Sequence, residues 1–469
     1  MDSEKAGKAW RALAIGLCAA IPVSFYALGD LADAFPGVLT LERPSAAAQA
    51  GPPAQGEDLA RASAEPLVPA PASEALADLA AGLSARIDAL AADPVIGGNL
   101  AVSVVDAQTG EAIVARDADA ARIPASTLKL LTAAAVLRVL PGETTLTTSA
   151  VLEGDTMTLV GTGDMTLTDA KLAALADAAA AMVLEGGARP IALRLDTSAL
   201  PGGENPAWGG NGRAGGWVAP TAALAVDEGR LDASPYGAKS ADPAGDAAQR
   251  FAQLLRERGV EVSGEIAPGI APPTGRSVQV GSAPLEEIVQ TTLLHSDNTL
   301  AELLAHLVAR AHGLEPTPAN AAAAVDAEVR ALGAELGVPG ADLAQLVIRD
   351  GSGLSLDNRV SPALQTAVLG RAASGSAPAL EPLLYDVPIG GLSGTLAERF
   401  SDPGVAPARG VIRGKTGYLG GTAALAGVTA LPDGRTVAFD IIVHGFPPEQ
   451  ADEARAGVDR VAAEIVETS

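Results

Sequence analysis

The chain has 469 residues, with 56 acidic against 32 basic side chains, a formal net charge of -24, and only 3% aromatic content within 48% hydrophobic content. That length exceeds one ordinary domain and holds ample core material, and the acidic balance argues against nucleic acid or an anionic membrane surface as a partner of the folded part. Cys18 is the only cysteine, which excludes an intrachain disulfide and a thiol-based metal site.

Lys5, Lys8 and Arg11 precede an apolar run over 12–28, which Asp30 and Asp33 follow. A positive flank stays inside, so the run predicts export of everything after it. We assign 1–40 to this segment, with an uncleaved membrane anchor favoured over a signal cleaved after Ala27-Leu28-Gly29. Residues 41–75 are rich in Ala, Pro, Gly and Glu without an apolar period and read as a disordered tether.

The folded part begins where Leu76, Leu79, Leu83, Ile87 and Leu90 recur at helical spacing. Apolar runs over 99–105 and 111–115 predict a β-hairpin, and Pro124-Ala125-Ser126-Thr127-Leu128-Lys129-Leu130 then opens an apolar helix reaching 140. Beyond Pro141-Gly142, strands and glycine turns alternate, with a strand at 156–160, a helix over 168–184 and a strand over 190–195. The glycine-dense stretch 208–217 reads as a loop that exposes Trp208 and Trp217. A helix over 247–259 and a strand over 260–266 follow. We take 146–275 as an inserted smaller α/β subdomain, and 76–145 with 276–469 as the main domain.

Residues 285–292 lead into His295-Ser296-Asp297-Asn298 and a helix through 310, and a further helix covers 319–332. The loop Asp350-Gly351-Ser352-Gly353-Leu354-Ser355 precedes a helix over 362–373. Strands over 422–431 and 435–444 surround Pro432-Asp433-Gly434, a second hairpin, and an amphipathic helix over 449–466 closes the chain. The expected architecture is α/β (α+β): both chain ends build one antiparallel sheet flanked by helices. Lys415-Thr416-Gly417 then starts the edge strand facing the Ser126 helix.

Three short motifs carry the chemistry. Residues three apart share one helix face, so the Lys129 amine can lie against the Ser126 hydroxyl and take its proton, provided that burial or a nearby cation such as Lys415 keeps the amine neutral. Singly, each motif has a duller account: a capping serine before an exposed lysine, a Ser-Asp-Asn helix cap, a surface Lys-Thr-Gly turn. In the order Ser126-x-x-Lys129, Ser296-Asp297-Asn298, Lys415-Thr416-Gly417 they form the signature of serine enzymes acylated by β-lactams and D-Ala-D-Ala peptides.

In that reading Ser126 is the nucleophile and Lys129 its base, while the Ser126 and Tyr418 amides hold the oxyanion. Ser296 relays a proton to the leaving nitrogen, Asn298 grips a substrate peptide bond, and Lys415 with Thr416 meets a carboxylate. No cofactor and no metal are called for. His295, His306, His312 and His444 lack the grouping of a metal site and read as core or surface residues.

From about residue 76 onward the sequence resembles the low-molecular-mass penicillin-binding proteins, specifically the class C D-alanyl-D-alanine carboxypeptidase/endopeptidases of the DacB type. The resemblance rests on the stretch from Pro124 through Lys129 to Ala134, on Gly163-Asp164-Met165-Thr166-Leu167, on Asp350-Gly351-Ser352-Gly353-Leu354-Ser355, on Gly394-Thr395-Leu396 and on Lys415-Thr416-Gly417. It implies a β-lactamase/transpeptidase-like domain that hydrolyses peptidoglycan stem peptides ending in D-Ala-D-Ala, or crosslinks, and is acylated by penicillin at Ser126.

Two departures stand out: the stretch 226–247 is shorter than in better-studied members, and Leu356 occupies a slot where relatives often carry an arginine. Two other readings are a β-lactamase, for which no Glu-x-x-Leu-Asn-like loop is present, and a catalytically silent cell-wall-binding or sensor protein on the same fold.

Overall fold

Backbone alternation and turn chemistry account for most of the elements, which a computed structural model describes for residues 73–468 apart from 188, 189, 233, 235 and 236. The predicted export segment and nearly all of the predicted tether lie outside the described residues. In chain order come α1 (Ser73–Leu90), β1 (Leu100–Asp106), β2 (Ala112–Arg116) and α2 (Leu128–Val139). Next are β3 (Thr147–Glu153), β4 (Thr156–Gly161), β5 (Asp164–Leu167), α3 (Asp169–Glu185), β6 (Ile191–Asp196), β7 (Leu224–Val226), α4 (Pro243–Glu257), β8 (Val262–Pro268) and β9 (Arg276–Gly281). Then follow α5 (Leu285–His295), α6 (Asn298–Ala311), α7 (Pro318–Glu335), α8 (Pro362–Ala373), β10 (Arg413–Leu419), β11 (Thr422–Ala430), β12 (Thr436–His444) and α9 (Ala451–Val466).

The first sheet runs β10-β11-β12-β1-β2, antiparallel throughout, so the last strands of the chain pair with the first. Strand β10, which carries Lys415, is its edge strand. On one face Phe439 and Ile441 of the sheet bury against Leu83 and Ile87 of α1 and Val458 and Ala462 of α9. On the other, Ala426 and Ala438 belong to the same apolar cluster as Val368 and Leu369 of α8 and most of α2.

Helix α2 is buried on all sides, from Leu128 through Leu137, which is why its sequence is apolar all round rather than striped. Each fully buried leucine there contributes about 1.5–3 kcal/mol by leaving water. That packing fixes the position of the Ser126 turn at its start.

A second sheet runs β8-β6-β4-β3-β9, with β6 parallel to both β4 and β8, and a short parallel pair joins β5 to β7. Its strand β9 extends this sheet beyond residue 275. In that strand Val278 and Val280 pack half-buried against the core while Ser277, Gln279 and Gly281 face out, a two-residue alternation too short to mark a strand by itself.

One core position is chemically out of place. Asp440 pairs with Ser103 and Ala426 across the central strands, is fully buried, and has no hydrogen-bond partner for either side-chain oxygen. Burial pushes its carboxyl well above the usual range. The folded state therefore keeps a proton that the unfolded chain releases above about pH 4, so stability at this site falls as pH rises. Asp440→Asn, which removes that linkage, is expected to raise the melting temperature by about 2 °C or more at pH 8 and to leave it nearly unchanged at pH 4, as read by calorimetry.

Candidate active site

The turn that carries Ser126 is built by close approach of backbones. A short 3-10 turn (Ala125–Thr127) runs straight into α2, with Ala125 in the left-handed region at φ 48°. Gly353, at φ +88°, lies so close to this turn that a Cβ on it would fall on the Ala125 carbonyl oxygen, and a Cβ on Gly417 would lie 2.8 Å from the Pro124 carbonyl oxygen. The glycine-rich loop and the Lys-Thr-Gly strand therefore clasp the Ser126 turn from two sides.

Lys129 is wholly buried in the first turn of α2. Its Nζ lies 3.0 Å from Ser126 Oγ, 2.7 Å from Asn298 Oδ1 and 2.6 Å from the Ser352 carbonyl oxygen. Burial brings its pKa down to about 8, against the raising influence of Asp350, Asp297 and Glu302. Removal from water, not a neighbouring cation, is thus what makes this amine a usable base. Of the two means that the sequence allows, burial is therefore the one that acts on Lys129, and Lys415 is itself pushed well below the ordinary lysine value, by burial first and by Lys129 second.

Ser296 ends α5 in the left-handed conformation at φ 59°, and Asp297 caps α6 by accepting from the Leu300 amide at 2.8 Å. This helix corner aims Ser296 and Asn298 toward Ser126. Lys415 Nζ donates to Ser296 Oγ at 2.8 Å and to the Thr416 carbonyl at 2.9 Å. Asn298 Nδ2 donates to the Trp217 carbonyl at 2.8 Å, which with its bond to Lys129 fixes the amide orientation. The Thr416 and Thr395 hydroxyls are hydrogen-bonded at 2.8 Å.

Ser126, Ser296, Asn298, Thr416 and Tyr418 line one cleft of about 430 Å³, with Leu354 and Leu419 as apolar wall. A cavity of about 490 Å³ that includes Arg230, Lys239 and His295 adjoins it across Trp217, Ser296, Asn298 and Thr395. All eight residues singled out from the sequence, Ser126, Lys129, Ser296, Asn298, Lys415, Thr416, Gly417 and Tyr418, lie in or directly against this cleft. Among the described residues no group of three His, Cys, Asp or Glu side chains is placed to hold a metal ion.

Sequence reading missed the carboxyl groups behind the lysine. Glu302 Oε1 accepts from the Gly351 amide at 3.1 Å, the Ser352 amide at 2.9 Å and the Trp208 indole at 3.2 Å. Asp350 accepts from the Gly353 amide at 2.9 Å, the Ser355 amide at 2.6 Å and Asn358 at 2.8 Å. Burial raises both carboxyls, Glu302 to about 7, and Asp350 adds to the shift of Glu302.

Trp208 is therefore not exposed as expected but 3% accessible, because its indole N-H has a carboxylate to meet; Trp217 is 47% exposed. The legible signal for Glu302 was its spacing of four from Asn298, which puts both on one face of α6. His306 is a core residue: its Nδ1 meets the Glu302 carbonyl oxygen at 2.7 Å, and burial lowers it to about 4.

Comparison with known proteins agrees with this geometry. The family model described as D-Ala-D-Ala carboxypeptidase 3 (S13) matches residues 83–237 and 230–465. Carboxypeptidase DacB of Mycolicibacterium smegmatis is 35% identical over 397 residues, covering 81% of this chain and 83% of that protein. A D-alanyl-D-alanine carboxypeptidase of an Actinomadura species is 32% identical, covering 80% of this chain and 84% of its own. In fold, the crystal structure of penicillin binding protein 4 (dacB) from Haemophilus influenzae superposes with a TM-score of 0.64 at 20% identity, covering 81% of this chain and 98% of that one. The chain belongs to the D-Ala-D-Ala carboxypeptidase 3 (S13) family.

Proposed function

We propose that this chain is a serine-type D-Ala-D-Ala carboxypeptidase/endopeptidase that cuts peptidoglycan stem peptides through an acyl-enzyme on Ser126, and that β-lactams acylate the same hydroxyl. The observation that carries the reading is the pairing of two buried lysines with two serines: Lys129 on Ser126 and Lys415 on Ser296, with Asn298 bound to the first lysine.

Neutral Lys129 takes the Ser126 proton as Oγ bonds to the substrate carbonyl carbon, and the carbonyl electrons move onto oxygen, toward the amides of Ser126 and Tyr418. The tetrahedral centre collapses, the C-N bond breaks, and the departing nitrogen takes the Ser296 hydroxyl proton, which is made good by the proton that Lys129 accepted, so that this amine is neutral again. Water, deprotonated in turn by neutral Lys129, then attacks the ester carbonyl carbon, and as the C-Oγ bond breaks Ser126 recovers its proton from that amine. Asn298 holds the acyl-side peptide bond, and β10, as the edge strand of its sheet, offers a backbone edge along which the substrate can lie.

No carboxylate lines the cleft among the described residues, and Glu302 Oε1 is committed to two amides and an indole. That supports slow release of β-lactam adducts over a β-lactamase role. A silent wall-binding protein would not require the two lysine-serine pairs to be buried intact.

We take the inserted unit as 146–281, ending after β9 rather than at 275 because β9 pairs with β3, and 76–145 with 282–469 as the catalytic domain. The site of action we infer is the extracytoplasmic face of the membrane, with 12–28 as anchor. Among the described residues no helix is long and apolar enough to cross a membrane.

Full-length protein incubated with a labelled penicillin and with a peptide ending in D-Ala-D-Ala is expected to form a stable adduct and to release D-Ala. Ser126→Ala and Lys129→Ala should each cut both by about 10³-fold or more, and undiminished labelling of Ser126→Ala counts against the assignment. Because the base form of Lys129 is needed and its pKa lies at about 8, the acylation rate should climb with pH up to that value and then level. Glu302→Gln removes a negative charge that raises Lys129, so stopped-flow profiles should show the climb shifted to lower pH. Gly353→Ala, which drives a methyl into the Ala125 carbonyl, should lower penicillin labelling by about 10-fold or more; an unchanged rate would show that the clasp is not needed.

A further inference from the structure

The wall of the Ser126 cleft contains one charged side chain among the described residues, and it comes from the far end of the chain: Arg455 of α9. Its guanidinium sits 3.9 Å from the centroid of the Tyr418 ring, directly after the Lys-Thr-Gly motif. Its ion-pair partner is Asp452 at 3.0 Å, whose side chain is 97% exposed, so solvent screens that pair and leaves the cation able to exchange partners. The same arginine also lines the neighbouring cavity of about 480 Å³ together with Thr395 and Thr416. Arg399, Glu398 and Asp452 share that cavity, but Arg399 is held by both oxygens of Asp459, at 2.8 and 2.5 Å.

A peptide with a free C-terminus brings a carboxylate into this cleft, and a carboxylate entering a partly desolvated site needs a matching charge. Lys415 is poorly placed to supply it. The residue is entirely buried, and its Nζ already donates to Ser296 and to the Thr416 carbonyl. A guanidinium, by contrast, keeps its charge and offers a planar fork of donors that fits a carboxylate.

Position selects which carboxylate. Leu354, Leu419 and Gly420 line only the first cavity, whereas Thr395, Thr416, Tyr418 and Arg455 are common to both. Lys415 Nζ bonds both Ser296 Oγ and the Thr416 carbonyl, and Thr416 bonds Thr395, so the shared residues include the neighbours of Ser296, where the leaving group departs. On the function proposed above, we propose that Arg455 is the binding residue for the α-carboxylate of the substrate's C-terminal residue, with the paired hydroxyls of Thr416 and Thr395 completing the site. The charge is contributed by the C-terminal helix, and Lys415 acts on Ser296.

The test separates binding from turnover. In full-length protein carrying Ser126→Ala, a peptide ending in D-Ala-D-Ala and its C-terminal carboxamide are titrated by NMR, with and without Arg455→Gln. Adding Arg455→Gln should weaken the acid about 10-fold or more and leave the amide within about twofold, and Arg455→Lys should recover part of the loss. Equal weakening of acid and amide, or an acid unaffected by the change, overturns the assignment. Melting curves identify a variant that fails to fold, and Arg455→Lys then supplies the same acid-against-amide comparison. If the unmodified protein releases no D-Ala in a parallel assay, the hydrolase reading falls, while the acid-to-amide ratio still decides the role of Arg455.

Discussion

Two lysine amines held out of water beside one another cannot both keep an ordinary charge, and much of the site follows from that constraint. Lys129 and Lys415 are each fully buried, and each has a serine hydroxyl within hydrogen-bond reach. Lost hydration favours proton release from both, and Lys129 lowers Lys415 further. A histidine is unnecessary here because burial does for an amine what an imidazole offers unperturbed.

Burial alone would overshoot, and the carboxyls behind the site set the balance. Asp350, Asp297 and Glu302 all oppose the desolvation of Lys129. The same groups hold the backbone in place: Glu302 fixes the Gly351 and Ser352 amides, so the Ser352 carbonyl faces Lys129, and Asp350 fixes the turn that brings Gly353 against the Ser126 turn. Electrostatic tuning and loop geometry are thus carried by the same atoms. Trp208 ties the segment between β6 and β7 to this machinery through one indole bond.

Much of this was legible in the sequence because the motifs are local and their chemistry is stereotyped. Ser126, Lys129, Ser296, Asn298 and Lys415 could be named from spacing and order, and the β11–β12 hairpin from Pro432-Asp433-Gly434 between apolar runs. What stayed hidden depends on partners distant in the chain. Trp208 reads as exposed until Glu302 is seen to meet its indole, 94 positions later. Arg455 looks like one more charge on an amphipathic helix until α9 packs beside β11 and β12 and carries it to Tyr418. Strand β9 offers only Val278 and Val280 as an apolar pattern on an edge strand, and Asp440 is a buried charge type that periodicity alone assigns to no face.

The central claim is that Lys129 is a base near neutral pH because it is buried. A pH titration of ε-¹³C-lysine resonances in the full-length protein measures this directly, with the Lys129 signal assigned by its loss in Lys129→Met. The account predicts a midpoint at about 8 for that signal. A midpoint at the ordinary lysine value of about 10.4 would contradict it.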